Sequence, residues 1–380
     1  MINDIRIQLA ILMYLVGCFS LMLYNAVTVY RKNKQQKSYD KQYSKYVVAI
    51  FQQFPSDVEV TTLSPKHIKY LKKSLLRVEN LISYFNTLNY IKIFHRSNIF
   101  DKYIVMLVQS GVFNTLAIAY RQKKNEERAY FAYFISQYPH LATNTEGICT
   151  DTINTMVAYI TDSDIYCRAN VLKALCRIGD IHGIVNVLQS FSDQQNFVHH
   201  RLLAEELYNF AGDKEVLALY LWGKYKVWND NVMLGVITFI TMFSDEFKSV
   251  FLPVLQNKST CTEIRLAIIQ YYKQYYFKPV GSVLIECLSQ TENYDLAMEA
   301  ASTLSMYPGT STTIALTFAL QSENWYVQYN AAYSLVALGE HSNSFIADLT
   351  SSNSDARHII RYMLEHTINE KEMNVSEVII

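Results

Sequence analysis

The sequence predicts an all-α protein: a solenoid of stacked helix–turn–helix units behind one membrane-spanning helix. Three observations carry that expectation. Apolar residues recur at fixed offsets from anchors spaced 31–33 residues apart through the C-terminal half, and a fixed period of this kind marks a stacked array. Gly and Pro are scarce, at 11 and 6 in 380 residues, whereas strand-and-turn architectures need more of both. An uncharged run of 24 residues, Ile7 to Tyr30, stands near the N-terminus.

That run comes first in the chain, with its most apolar part between Leu9 and Leu23. As a helix it is about 36 Å long, enough to cross a hydrocarbon core of about 30 Å. Tyr24 and Tyr30 offer interfacial anchors. Arg31, Lys32, Lys34 and Lys37 follow, against a weak N-terminal flank of Asp4 and Arg6. Basic flanks stay on the cytoplasmic side, so residues 1–30 are expected to place the N-terminus outside and the rest in the cytoplasm. A cleaved signal peptide needs a shorter apolar region and a small-residue site. Leu15-Val16-Gly17-Cys18 resembles a bacterial lipobox, which would lipidate Cys18. The residues after Cys18 stay apolar, which favours an uncleaved span.

Residues 31–45 read as a basic juxtamembrane segment, suited to a stop-transfer flank or to anionic lipid. Residues 46–147 read as helices whose period is obscure. A short helix over 46–54 ends near Pro55. Ser64-Pro65 starts the next, since Pro suits a first helical turn. Its apolar stripe runs from Leu71 to Ile82, and its basic face (Lys66, Lys69, Lys72, Lys73, Arg77) suits either solvent or a membrane surface. Further helices are expected near 86–96, 99–110, 112–122 and 125–137.

The array is expected over 148–368. Its anchors are Arg128, Arg168, His200, Met233, Arg265, Ala297 and Gln328; the last five steps are 32, 33, 32, 32 and 31 residues, and the first is 40. The long first step implies an insertion around Tyr138–Thr152. At offsets +3, +4, +6, +7 and +10 from each of the last six anchors stand mainly apolar or small residues, such as Val171, Leu172, Ala174, Leu175 and Ile178 after Arg168. Those offsets lie on one helix face. A turn follows, as at Gly179-Asp180, Gly212-Asp213 or Pro308-Gly309, and then a second apolar helix such as 181–191 or 214–225. Neither helix can bury its stripe alone, so stacking is required.

The unit resembles the HEAT repeat, in its short bacterial, phycobilisome-lyase-type form, with the consensus D-x-x-V-R-x-x-A-x-x-A-L-x-x-L-G-D. Residues 164–180 match it at Asp164, Arg168, Ala174, Leu175, Gly179 and Asp180. Residues 327–339 match at Val327, Ala331, Leu335, Leu338 and Gly339, with Gln328 in place of the Arg. The likeness is clear over 160–340. Tetratricopeptide arrays have a similar period, but their Trp, Gly-Tyr and Pro marks do not line up. In HEAT-like units the Asp caps the next helix and the Arg pairs with a neighbouring unit.

Charge and motifs limit the chemistry. Residues 1–45 hold seven basic and two acidic residues; the rest holds 27 and 32, a net of −5. A mildly acidic body argues against a nucleic-acid surface, which needs a basic stripe. None of the six cysteines forms a C-x-x-C pair, and they read as small buried residues in a reducing compartment. His199-His200 with Glu205-Glu206 lacks metal-ligand spacing, and no phosphate loop or G-x-S-x-G is present. No catalytic, cofactor or metal residue is therefore expected. Trp222, Tyr225 and Trp228 form an aromatic and basic cluster with two readings, a partner surface or packing between units; Trp325-Tyr326 is a second such place. The tail from Asn369 reads as a frayed end after a capping helix.

The expectation is a bacterial protein of the inner membrane with a cytoplasmic array that binds a protein partner. The resemblance implies a scaffold beside a surface-polysaccharide glycosyltransferase or a signalling system. It also leaves two enzyme classes open, the phycobilin lyases and the alkyl-purine DNA glycosylases.

Overall fold

The apolar run and its basic flank form one helix. In the structure, a computed structural model, α1 runs unbroken from Ile2 to Phe51, so the expected helix over 46–54 is the end of this long N-terminal helix and not a separate element. No Pro or Gly interrupts residues 18–51, and nothing else there would break the backbone ladder. The structure describes residues 2–54, 61–94, 98–144, 147–148, 150–161, 163–193, 198–290, 293–339 and 358–363. The tail from Asn369 lies outside them. The chain divides into two compact units, Met1–Val187 and Leu188–Ile380.

Unit 1 holds α2 (Pro65–Ser74), α3 (Val78–Phe94), α4 (Asn98–Ser110), α5 (Val112–Tyr120), α6 (Asn125–Gln137), α7 (Thr150–Val157) and α8 (Ile165–Ile178). The division falls inside α9 (Ile181–Asp193). Ser64 caps α2 through its hydroxyl, with Pro65 in the first turn, as the sequence predicts. The stripe from Leu71 to Ile82 does not form one helix. The Asn80 amide donates to the Ser74 carbonyl at 2.9 Å, which holds a turn between α2 and α3; the expected helix over 86–96 is instead the second half of α3. The expected insertion near 138–152 is real: a 3-10 turn at Pro139–Ala142 and a two-residue antiparallel pair, Thr143–Asn144 with Gly147–Ile148. That pair is the only extended structure among the described residues.

Unit 2 holds α10 (His200–Tyr208), α11 (Lys214–Trp222), α12 (Asp230–Thr241), α13 (Lys248–Gln256), α14 (Thr262–Gln274), α15 (Gly281–Leu288), α16 (Tyr294–Thr303), α17 (Thr310–Ala319) and α18 (Trp325–Ala337). The seven anchors fall in α6, α8, α10, α12, α14, α16 and α18. In every one of these helices the residues at +3, +4, +6 and +7 are buried. Within unit 2, α10, α12, α14, α16 and α18 pack each on the next, and α11, α13, α15 and α17 each pack on the anchored helix that follows.

Tyrosine, with 29 copies, ties successive helices together. Buried tyrosine carries its apolar ring into the core and its hydroxyl to a backbone partner. Tyr120 donates to the Leu75 carbonyl at 2.8 Å, Tyr275 to Thr241 at 3.0 Å and Tyr307 to Tyr272 at 2.9 Å. Burial raises the pKa of all three phenols, which stay neutral donors. The residue at +6 of α18, Ser334, donates to the Ala301 carbonyl at 2.7 Å, about one period back.

The turns behave as their residues require. Asp164, Asp180 and Asp213 accept from backbone N–H groups at the starts of α8, α9 and α11. Gly179 ends α8 at φ 86°, where a side chain costs about 1–2 kcal/mol. Gly179→Ala is expected to lower stability by that amount in a denaturant titration. Gly223→Ala, at φ −55°, is expected to change it by only a few tenths.

Candidate functional site

The aromatic cluster at 222–228 is built inward. Trp222 ends α11 at 8% exposure, and Trp228 is 6% exposed. The Trp222 ring stacks on Tyr225 at 4.8 Å and 7°, and meets the edge of Phe251 at 4.8 Å. The Trp228 Nε1–H donates to the Leu221 carbonyl at 3.0 Å. These two indoles offer no surface to a partner. Tyr225 is half-buried, with Lys226 over its ring at 5.8 Å. The packing alternative is the one the geometry favours, because Leu217, Leu221 and Trp222 share the buried face of α11.

Trp325 is placed differently. It opens α18 at 54% exposure, against Tyr326 at 5.2 Å and Tyr329 at 5.1 Å. Its chain neighbours Glu323 and Val327, but not Trp325 itself, line an open groove of about 1050 Å³ together with Leu288, Gln290, Ile314 and Phe318. Phe318 is 69% exposed. Ile314 and Phe318 sit one turn apart on α17, a pair that sequence alone reads as an ordinary second-helix stripe. The signal that singles it out is charge. From residue 279 to 339 the described chain carries no Lys or Arg, while Glu286, Asp295, Glu299 and Glu323 are present. Glu286 is held by Lys258 at 2.8 Å. The groove has a mixed lining, with an apolar strip on α17 and Glu323 among its polar residues.

The repeated arginines are structural. Arg265 is buried; its Nε donates to the Leu255 carbonyl at 3.2 Å and its Nη2 approaches the Cys287 sulfur at 3.5 Å, so it joins α14 to α13 and α15. Arg168 Nη2 donates to the Ser163 carbonyl at 2.8 Å, within its own turn. His199 caps α10 through Nδ1, and its ring lies 4.3 Å from that of His200. Among the described residues no group of three or more His, Cys, Asp or Glu converges as a metal site would. Cys167, Cys176 and Cys287 are buried, whereas Cys18 and Cys261 are partly exposed; Cys149 lies outside the described residues. Burial pushes the Cys167 thiol up to about 11 and raises that of Cys287, so both stay protonated and poorly nucleophilic.

At the other end of the chain, Leu12–Arg31 is long and apolar enough to cross a membrane, with a mean hydropathy of 1.7 and none of it buried. Arg31, at its end, and Lys34 and Lys37 beyond it are exposed, and the Lys32 side chain lies outside the described ones. α4 and α5 together are also long and apolar, but they bend by 62° and bury Tyr103, Leu107, Phe113, Leu116 and Tyr120 in unit 1.

One buried titratable group sits under this basic end. His67, on α2, lies 2.8 Å from the Tyr103 hydroxyl. Tyr103 accepts from Tyr84 at 3.0 Å, which leaves its own proton for His67 Nε2. Burial lowers the His67 pKa to about 4. The folded protein therefore binds its proton less readily than the unfolded chain, whose imidazole titrates near 6.5. The stabilisation is complete above pH 6.5 and is lost as pH falls through 4. Replacing His67 with Gln is expected to remove a loss on the order of 3 kcal/mol over that window, read as a flatter curve of stability against pH.

No protein-family model matches the chain, and neither does any curated protein.

Proposed function

We propose that the protein is a non-catalytic, membrane-tethered scaffold of HEAT-like units that holds a protein partner at the cytoplasmic face. The observation that carries this reading is the groove between α15 and α17. It has an apolar strip with an exposed Phe318, Glu323 on its lining and no Lys or Arg among its lining residues, with the exposed Trp325 two residues along the chain from Glu323. Such a surface suits an amphipathic helix with basic flanks, whose apolar residues enter the groove while its charges meet the acidic surround. The unbroken α1 supports the tether, and the basic flank after the span supports an outside N-terminus. A partner in a surface-polysaccharide or signalling system belongs to this proposal through the HEAT resemblance alone.

A crosslinking pull-down of the full-length protein from membranes tests the reading. A partner is expected to be captured by the wild type and lost, by tenfold or more, in a Phe318→Ser/Trp325→Ala variant that melts as the wild type does. Equal capture by the two proteins would remove the groove from the proposal.

A further inference from the structure

We infer that a second groove, between the cytoplasmic end of α1 and α2, binds a phosphoryl group on the membrane side of unit 1. The groove has a volume of about 930 Å³, and Lys41, Lys45 and Lys66 stand on its lining. All three side chains are exposed, and among the described residues no ion pair engages any of them. Among the described residues of 40–79 the cations are Lys41, Lys45, Lys66, Lys69, Lys72, Lys73 and Arg77, against the two carboxylates Asp40 and Glu79. An excess of like charges repels and raises the local potential, and a bound anion relieves both. Lysine is a point-charge ligand for phosphate. Between the lysines, Val48 is 55% exposed and Tyr70 37% exposed, so the same groove offers apolar contact beside the charges.

Position decides which anions reach it. α1 is unbroken from the span to the groove, so Lys41 lies about 15 Å beyond Arg31 along the helix and Lys45 about 21 Å. The headgroup layer covers about 5–8 Å of that distance. An extended lysine side chain, about 6 Å long, reaches most of the remainder from Lys41 and about half of it from Lys45. α2 runs back along α1 toward the span, since Ser64 Oγ donates to Gln53 Oε1 at 2.9 Å while Ser74 Oγ lies 2.5 Å from the Tyr46 hydroxyl. Lys72 and Lys73, in the last turn of α2, therefore stand nearer the membrane than Lys66. A phosphate on a lipid headgroup and a soluble phosphoryl compound share the chemistry this groove recognises. The site is independent of the α15–α17 groove, so failure to capture a protein partner leaves it standing.

The test is amide hydrogen exchange of α2 in the full-length protein in nanodiscs. One arm compares phosphatidylcholine discs with discs containing phosphatidylglycerol. The other adds inorganic phosphate to the neutral discs. Exchange over 65–74 is expected to slow by about fivefold or more in the lipid arm, the factor that one lysine contributes near an anionic surface. Slowing in the phosphate arm alone keeps the site and assigns it to a soluble ligand. Lys41→Gln/Lys45→Gln/Lys66→Gln is expected to abolish the effect, with exchange in α3 unchanged as a folding control, and the triple Arg variant is expected to keep it. No slowing in either arm overturns the inference, and so does slowing that survives the triple Gln change.

Discussion

Trp222→Ala is expected to destabilise the protein by about 3–5 kcal/mol, the range for removing a large buried aromatic. The indole is 8% exposed and touches three rings, Tyr225, Phe247 and Phe251. Its loss leaves a void between α11 and α13 that surrounding side chains fill only in part. For a folding unit of this size the melting temperature should fall on the order of 10 °C. Trp228→Phe is a finer probe of the same corner. It keeps most of the ring but removes the donor to the Leu221 carbonyl, held at 3.0 Å, for a cost of about 1 kcal/mol. Were these residues a partner surface, Trp222→Ala would leave the melt unchanged and weaken only binding. A melt within 2 °C of wild type would contradict the packing described above.

The contrast between Trp222 and Trp325 shows what can be read from sequence. Helical period is legible because burial repeats at fixed offsets. Leu203, Ala204, Glu206 and Leu207 after His200 are buried just as Ile268, Ile269, Tyr271 and Tyr272 are after Arg265, although their chemistry differs. Caps are legible because Ser, Asp and Gly have local geometric roles: Ser64, Asp164 and Gly179 each sit where the sequence places a helix end. The break between α2 and α3 was hidden, because the apolar stripe continues through it and the Asn80 side chain that stabilises it acts from beyond the break. Which aromatic cluster faces outward was hidden as well. Trp222 and Trp325 both have a Tyr within three residues in the chain, and only the helices packed against them distinguish core from surface. The groove on α17 depends on the spacing of α15 and α17, and no local pattern encodes that distance.

Removing residues 2–30 is expected to move the protein from the membrane fraction to the soluble fraction almost completely. The span exposes large side chains along its length, among them Met13 at 69%, Phe19 at 65% and Met22 at 70%, and no other part of the described chain covers them. Burying one such side chain in hydrocarbon contributes about 1.5–3 kcal/mol, so a dozen of them far outweigh the translational freedom lost on insertion. The basic groove and flank alone would give a weaker, salt-sensitive attachment, since exposed charges are screened within about 8 Å at physiological ionic strength. High salt separates the two terms: the full-length protein should stay with the membrane in 1 M salt, and any residual binding of the truncated chain should be released. Leu21→Arg, near the middle of the span, exchanges a favourable contribution for a cost of about 2.5–3.5 kcal/mol. It should lower the membrane-insertion constant about a hundredfold relative to Leu21→Ala and leave the melt of unit 2 unchanged. Retention of the truncated chain in high-salt-washed membranes would show that α1 is not the anchor.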